Sequence, residues 1–309
     1  METLNVSVVI PTYGRSEGLA GALESALSQN FESFEVIVVD DNNPGTPARE
    51  QTQAVMQGFL SSPKVKYIQH EKNKNGAAAR NTGIFAAKGR YVAFLDDDDK
   101  FLPGHLQKLF DYLETNPNHR AAYTWRIQNN VEDCPLYEGN LTKLLLTGHY
   151  CAPTSTMMMD RQVLLELGGF NEIYRRHQDV EIMVRYFEKG YTLGVVKEVL
   201  TLMDNSDDLN RPHGQALEDM KEVFLSNFAP VIDRLDKEKP GTKRKIICEN
   251  QVRVWADYFH RGPASKAWQI YKKYASCYPF YFTFTCIKFT LNAVYLKTCK
   301  KLSRLKGSD

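Results

Sequence analysis

Four short apolar runs, each ending in polar residues and each followed by a helix-period segment, constrain this 309-residue chain more than any other feature. They are "VSVVIP" (Val6–Pro11), "FEVIVVDD" (Phe34–Asp41), "VKYIQH" (Val65–His70) and "YVAFLDD" (Tyr91–Asp97). Between them lie "LAGALESALSQ" (Leu19–Gln29), a helical stretch reaching about Gln57, and "GAAARNTGIFAAKG", a helix closed by Gly89. Runs this short and this apolar suit strands covered on both faces. Strands alternating with helices predict an α/β fold built on a doubly wound, mostly parallel sheet. Ligands of such sheets bind beyond the carboxyl ends of the strands. Three of those ends are polar: "PTYGR", "DDNN" and "DDDD". All three should converge on one rim.

The pattern then changes. "LPGHLQKLFDYLETNP" reads as a helix, and "AAYTWRIQ" and "TSTMMMD" as strands of a mixed second half of the sheet. "RQVLLELGGFNE" is a short helix ending at a glycine pair, "DVEIMVRYFEKG" an amphipathic helix, and "YTLGVV" a last strand. From about Ala216 onward only helices are expected, so residues 1–215 form the catalytic-type domain and 216–309 an appended helical region. Its end crowds aromatics over Tyr278–Phe289 and then carries Lys297, Lys300, Lys301, Arg304 and Lys306. Two readings stand: a helix packed on its own domain, or an interfacial helix of segment 278–306 lying on an anionic membrane. Lys288 and Asn292 argue against a true membrane span.

Composition excludes rather than selects. A net charge of +2, with no basic stripe in the first two thirds, gives no argument for nucleic acid as a partner. Six scattered cysteines without a C-x-x-C pair form neither a disulfide framework nor a zinc pattern. The opening "METLNVSVVIP" lacks the basic start and long apolar core of a signal peptide. A cytoplasmic location, peripheral on the cytoplasmic face of the membrane if the tail binds there, is expected.

Asp96, Asp97, Asp98 and Asp99 pose the chemical question. A helix cap needs one aspartate, not four. Neighbouring carboxylates raise one another's pKa unless a cation relieves them. Mg²⁺ or Mn²⁺, held by carboxylates and phosphates, would do so. If extended geometry persists, Asp96 and Asp98 point one way and Asp97 and Asp99 the other. Asp96 and Asp98 can then serve a ribose hydroxyl and a metal, leaving Asp97 and Asp99 for capping and solvent.

"VSVVIPTYGR", "SALSQNFESFEVIVVDDNN", "NGAAARNTGIFAAKGRYVAFLDDDD", "GGFNE" and "HQDVEIMVRYF" together resemble family 2 glycosyltransferases of the GT-A fold, in order and spacing over about Asn5–Val199. The resemblance implies inverting transfer of a sugar from a nucleotide-sugar donor to an acceptor hydroxyl with Mn²⁺ or Mg²⁺. It places Pro11, Thr12, Tyr13 and Arg15 at the base and ribose. Asp41 would bind the base, favouring uracil, and Arg80, with Asn81 beside it, would lie near the donor. Asp96 and Asp98 match the D-x-D, with Asp98 the metal ligand and Asp97 kept among the donor contacts.

Asp179 takes the place of the catalytic base, and Gln178 stands where relatives carry glutamate. His177 is a candidate for acceptor or sugar contact. Asp204 or His213 would meet the diphosphate, in a loop "DNSDDLNRPHG" that closes over bound donor. Glu181 is read as a solvated helix residue. Size and tail suggest a glycan or lipid-linked saccharide acceptor in polysaccharide synthesis.

Two alternatives are weighed against this reading. A sugar-nucleotide pyrophosphorylase would want a glycine-rich loop where "PTYGR" stands, and a dehalogenase-like phosphatase would place its D-x-D after an early strand. A binding protein without catalysis would lack the base or the D-x-D.

Overall fold

The computed structural model describes residues 4–150, 153–204 and 212–291. The closing loop expected over 204–214 falls largely outside this set, as does the basic segment 297–306. Two compact units emerge, Met1–Thr142 with Cys151–Asp207, and Lys143–Tyr150 with Asp208–Asp309.

In the first unit β1 (Val6–Thr12), β2 (Phe34–Asp40), β3 (Val65–Gln69) and β4 (Tyr91–Phe94) alternate with α1 (Ser16–Leu27), α2 (Pro47–Gln57) and α3 (Gly76–Ala86). The four strands run parallel in the order β3-β2-β1-β4. Val8, Ile10, Val36 and Val38 face Leu19, Leu23 and Met56 in one fully buried core layer. Because β1 and β2 are covered on both faces, every residue of β2 is buried. That explains the unbroken apolar runs in the sequence.

The rest of the sheet is mixed, as expected. It adds β5 (Lys100–Phe101), α4 (His105–Thr115), β6 (His119–Gln128), β7 (Val131–Asp133), β8 (Met157–Asp160), α6 (Arg161–Glu166), α7 (Gln178–Glu188) and β9 (Thr192–Met203), with α5 (Thr142–Leu146) between β7 and β8. β8 lies antiparallel between β4 and β6, while β9 runs parallel to β6 and antiparallel to β5. β5, β7 and α5 are too short to show a period and are not legible in the sequence. The helix expected to reach Gly89 stops at Ala86. Gly89 instead packs against β1, where an added Cβ would lie 2.5 Å from the Ser7 nitrogen.

The second unit contains α8 (Gln215–Asn227), α9 (Ala229–Glu238), α10 (Thr242–Arg261), α11 (Ala264–Cys277) and a further helix over 279–291. Val252, Tyr258, Ile270 and Phe282 lie in its core. The segment after Thr142 belongs here, which a single boundary near residue 215 does not anticipate. The reason is local. Asn250 on α10 donates to the Leu146 carbonyl at 2.8 Å, and Arg253 donates to those of Thr147 and Gly148. Carbonyls at the end of a short helix are thereby satisfied. Among the described residues no helix is long and apolar enough to cross a membrane.

Candidate active site

The tips of β1, β2 and β4 meet at one pocket of about 200 Å³. Pro11, Thr12, Tyr13, Arg15, Asp41, Arg80, Asp96 and Asp97 all line it. These eight are the residues expected at the base and ribose, together with Arg80, Asp96 and Asp97. The β2 tip is held by a buried pair, Asp40 with Arg49, whose guanidinium also donates to the His70 carbonyl at 2.7 Å. Asn42 accepts from the Gly14 amide at 2.9 Å and ties the β1 turn to the β2 turn.

Asp41 is 2% exposed and surrounded by donors. Its Oδ1 meets His70 Nδ1 at 2.7 Å and the Lys74 amide at 2.8 Å. Its Oδ2 accepts from Asn73 Nδ2 at 2.8 Å and the Asn75 amide at 2.9 Å. Four donors match the usual capacity of a carboxylate. The group assigned to the base thus also organises the 73–75 loop. Asn75, at φ 118°, caps α3 through Ala78 and reaches the Glu172 carbonyl at 2.8 Å. His70, Asn73 and Asn75 escaped the sequence reading. Only the Asn before "GAAAR", in N-cap position, carried a signal.

The aspartate cluster departs from the expected alternation. β4 ends at Phe94, and the Asp99 amide bonds the Asp96 carbonyl at 3.1 Å, closing a turn. Asp97 and Asp99 are 6% and 2% exposed, so the solvent part of their expected role in capping and solvent does not hold. The Tyr13 amide meets Asp97, and the Asp204 amide donates to Asp99 at 3.1 Å. Burial, reinforced by the neighbouring aspartates, pushes Asp97 up to about 7 and Asp99 up to about 8. Asp96 pairs with Arg80 at 2.5 Å, and Asp98 pairs with Arg15. Two guanidiniums therefore already offset part of the charge that the sequence left for a metal to relieve.

Arg80 extends the wiring. It donates to Gln178 Oε1 at 2.9 Å, and Gln178 donates to the Tyr174 carbonyl at 2.9 Å. Asp179 follows Gln178 in the first turn of α7 and is half-buried. His177 precedes them as the N-cap in the left-handed region, φ 57°. The "GGFNE" loop is pinned by Asn81, which exchanges bonds with the Phe170 amide and carbonyl at 2.7 and 2.8 Å. Gly169, at φ +74°, leaves room for that clamp, since a Cβ there would lie 2.3 Å from Asn81 Oδ1.

Glu181 is not solvated, contrary to expectation. It is buried, grips Arg185 through both oxygens at 2.7 Å, and so aims Arg185 at the Leu167 and Gly169 carbonyls.

On the other side of the turn Asp98 lines a second cavity of about 400 Å³ with Lys100, Asn129, Asn130 and Asp204. Among the described residues no three His, Cys, Asp or Glu side chains are grouped to hold a cation unaided. The oxygen-rich turn nonetheless fits a hard divalent ion that takes one or two carboxylates and completes its shell with phosphate oxygens. His213 sits in the second unit, 2.8 Å from Asp257 Oδ1, with Arg261 on its Nε2 at 2.8 Å.

Known proteins resemble this chain in sequence and fold. Residues 7–176 match the model of the family described as glycosyl transferase family 2. The amylovoran biosynthesis glycosyltransferase AmsB of Erwinia amylovora is 32% identical over 213 residues, covering 65% of this chain and 69% of AmsB. The putative glycosyltransferase EpsE of Bacillus subtilis is 27% identical over 212 residues, covering 67% of this chain and 75% of EpsE. The crystal structure of S. aureus TarS 1–349 in complex with UDP-GlcNAc superposes with a TM-score of 0.59 at 18% identity, covering 89% of this chain and 92% of that one. That likeness speaks for the GT-A fold. With the family match spanning over half the chain, this protein belongs to glycosyl transferase family 2 and is a glycosyltransferase.

Proposed function

We propose that the protein transfers a sugar, with inversion, from a nucleotide-sugar to an acceptor hydroxyl in polysaccharide synthesis. The observation that carries this is the convergence of three polar strand tips and Arg80 on one pocket. A TarS structure with UDP-GlcNAc and the amylovoran role in the name of AmsB support a UDP-sugar donor and a glycan or lipid-linked acceptor. Tyr13, 56% exposed, offers its ring to the base. Asp41 meets the base edge, and an incoming N–H replaces one of its four present donors. Asp96 takes the ribose. Arg15 and Arg80, now spent on Asp98 and Asp96, are within the pocket to compensate diphosphate charge.

Mn²⁺ or Mg²⁺, held by Asp98 and donor phosphate oxygens with Asp204 nearby, would supply Lewis-acid stabilisation of the leaving diphosphate. Asp179 takes the acceptor proton as the hydroxyl attacks the anomeric carbon in line. A single displacement of this kind needs no covalent enzyme intermediate. His177 borders the acceptor side, and Gln178 holds Arg80 without adding negative charge. A peripheral membrane contact of segment 278–306 completes the reading, and bringing the enzyme to a lipid-linked acceptor is its use.

Turnover of UDP-sugars with Mn²⁺ tests it. Asp179→Asn should lower transfer by roughly 10²–10⁴-fold. Asp98→Ala should abolish the response to Mn²⁺. Unchanged turnover in both variants would sink the mechanism. A panel of nucleotide-sugars screened for thermal stabilisation identifies the donor, since binding to the folded state raises its stability.

A further inference from the structure

The second unit buries one side of its last described helix and exposes large apolar groups on the other. Within 279–291, Phe282 and Cys286 are in the core, with Phe289 packed against it. Phe280, Phe284, Ile287 and Leu291 are 91%, 65%, 54% and 63% exposed. Their spacing of four, three and four residues places them on one face of a helix. Single exposed apolar residues are ordinary, but an aligned stripe of four calls for a partner. Trp268 on α11 is also exposed and stacks on Tyr271, whose hydroxyl bonds Thr283 of the 279–291 helix at 2.8 Å.

Charge says what the partner is. Between Asp257 and Asp309 the sequence has no acidic residue and ten Lys or Arg. The whole chain is only +2, so the remainder is net acidic. At the start of the stripe a cleft of about 560 Å³ joins Arg244 to Tyr278, Phe280, Tyr281 and Phe284. The Arg244 guanidinium lies 4.9 Å over the Tyr281 ring. A guanidinium beside aromatic rings suits a phosphate headgroup above hydrocarbon. A nucleic acid would use the positive charge but leave the apolar stripe in water.

We propose that the face formed by Phe280, Phe284, Ile287 and Leu291, with the Arg244 cleft at its start, docks on an anionic phospholipid bilayer. The proposal deepens the membrane part of the functional reading and does not depend on the transfer chemistry. The apolar stripe sits among the acyl chains near the headgroups, and Arg244 meets an anionic headgroup. Binding then needs both terms and weakens with salt.

Co-sedimentation of the full chain with vesicles measures it, using phosphatidylcholine alone and phosphatidylcholine mixed with phosphatidylglycerol. The protein should partition onto the mixed vesicles, and less so at high salt. Phe280→Ser with Phe284→Ser should weaken partitioning roughly tenfold or more. Arg244→Gln should weaken it on the anionic vesicles alone. These exposed positions should leave the melting temperature and donor hydrolysis unchanged, so loss of binding cannot be misfolding or failure of the transferase reading. Wild type that ignores anionic vesicles, or a double variant that binds like wild type, overturns the proposal. So does a shift from dimer to monomer by light scattering without vesicle binding, which would make the face an interface between copies. Binding to polyuridylate in preference to vesicles overturns it as well.

Discussion

The rim of the sheet unit and the outer face of the helical unit are built on opposite principles. At the rim, side chains are fixed by directed bonds: Asp41 by four donors, Asn81 by the Phe170 backbone, Arg80 between Asp96 and Gln178. In the helical unit, rings and aliphatic groups hold the core, and more of the same project outward. Directed bonds specify positions to a fraction of an ångström, as a reacting pocket requires. Apolar contact is non-directional and tolerates a fluid partner. The contrast separates a region built for geometry from one built for area.

The largest test of that contrast lies within one helix. Phe282→Ala should destabilise the helical unit by about 3–5 kcal/mol through an internal cavity. Phe284→Ala, two residues away, should stay within about 0.5 kcal/mol. Chemical denaturation of each variant compares them, and equal losses would break the contrast between inner and outer faces.

In the sheet unit, Asn81→Ala leaves the Phe170 amide and carbonyl without their partner. A loss of about 2 kcal/mol is expected. Because the "GGFNE" loop leads into Asp179, kcat should fall along with stability. A stable variant with full kcat would show that the directed bonds serve the fold alone.

The contrast also extends to pH dependence, whose sign differs between the units. Asp97 and Asp99 are raised from 3.8 to about 7 and about 8 by burial first and neighbouring aspartates next. The folded state therefore holds their protons longer than the unfolded chain. That contribution is full below about pH 4 and is lost as pH rises through about 7 to 8. Lys221 on α8 is lowered from 10.5 to about 8 by burial and then by Arg253. Its burial penalty is full below about pH 8 and fades as pH rises towards 10.5, so the helical unit gains stability there. Hydrogen exchange across pH in metal-free buffer follows each unit separately, with Asp99→Asn and Lys221→Met as flattened controls. Slopes of one sign in both units would contradict the assignment.

Legibility in the sequence followed the range of the interactions involved. β2 was evident because "FEVIVVD" is buried on both sides. The rim was evident because "PTYGR", "DDNN" and "DDDD" each close a strand of a parallel sheet. The two-residue β5 and the five-residue α5 were not, because neither completes a period that could be read. Glu181 was misread because helix position alone gives no hint that Arg185 and two loop carbonyls will cover it.

The sequence by itself determined the alternating core, the parallel half of the sheet, the convergence of its polar tips and the family motifs. These depend on local period and chain order, which are written residue by residue. Tertiary structure alone decided which aspartates are buried, that Asp41 is ringed by His70, Asn73 and two loop amides, and which face of helix 279–291 is left to solvent. Each of these depends on groups tens of residues apart in the chain. Their burial and pairing come into being only when the chain is packed.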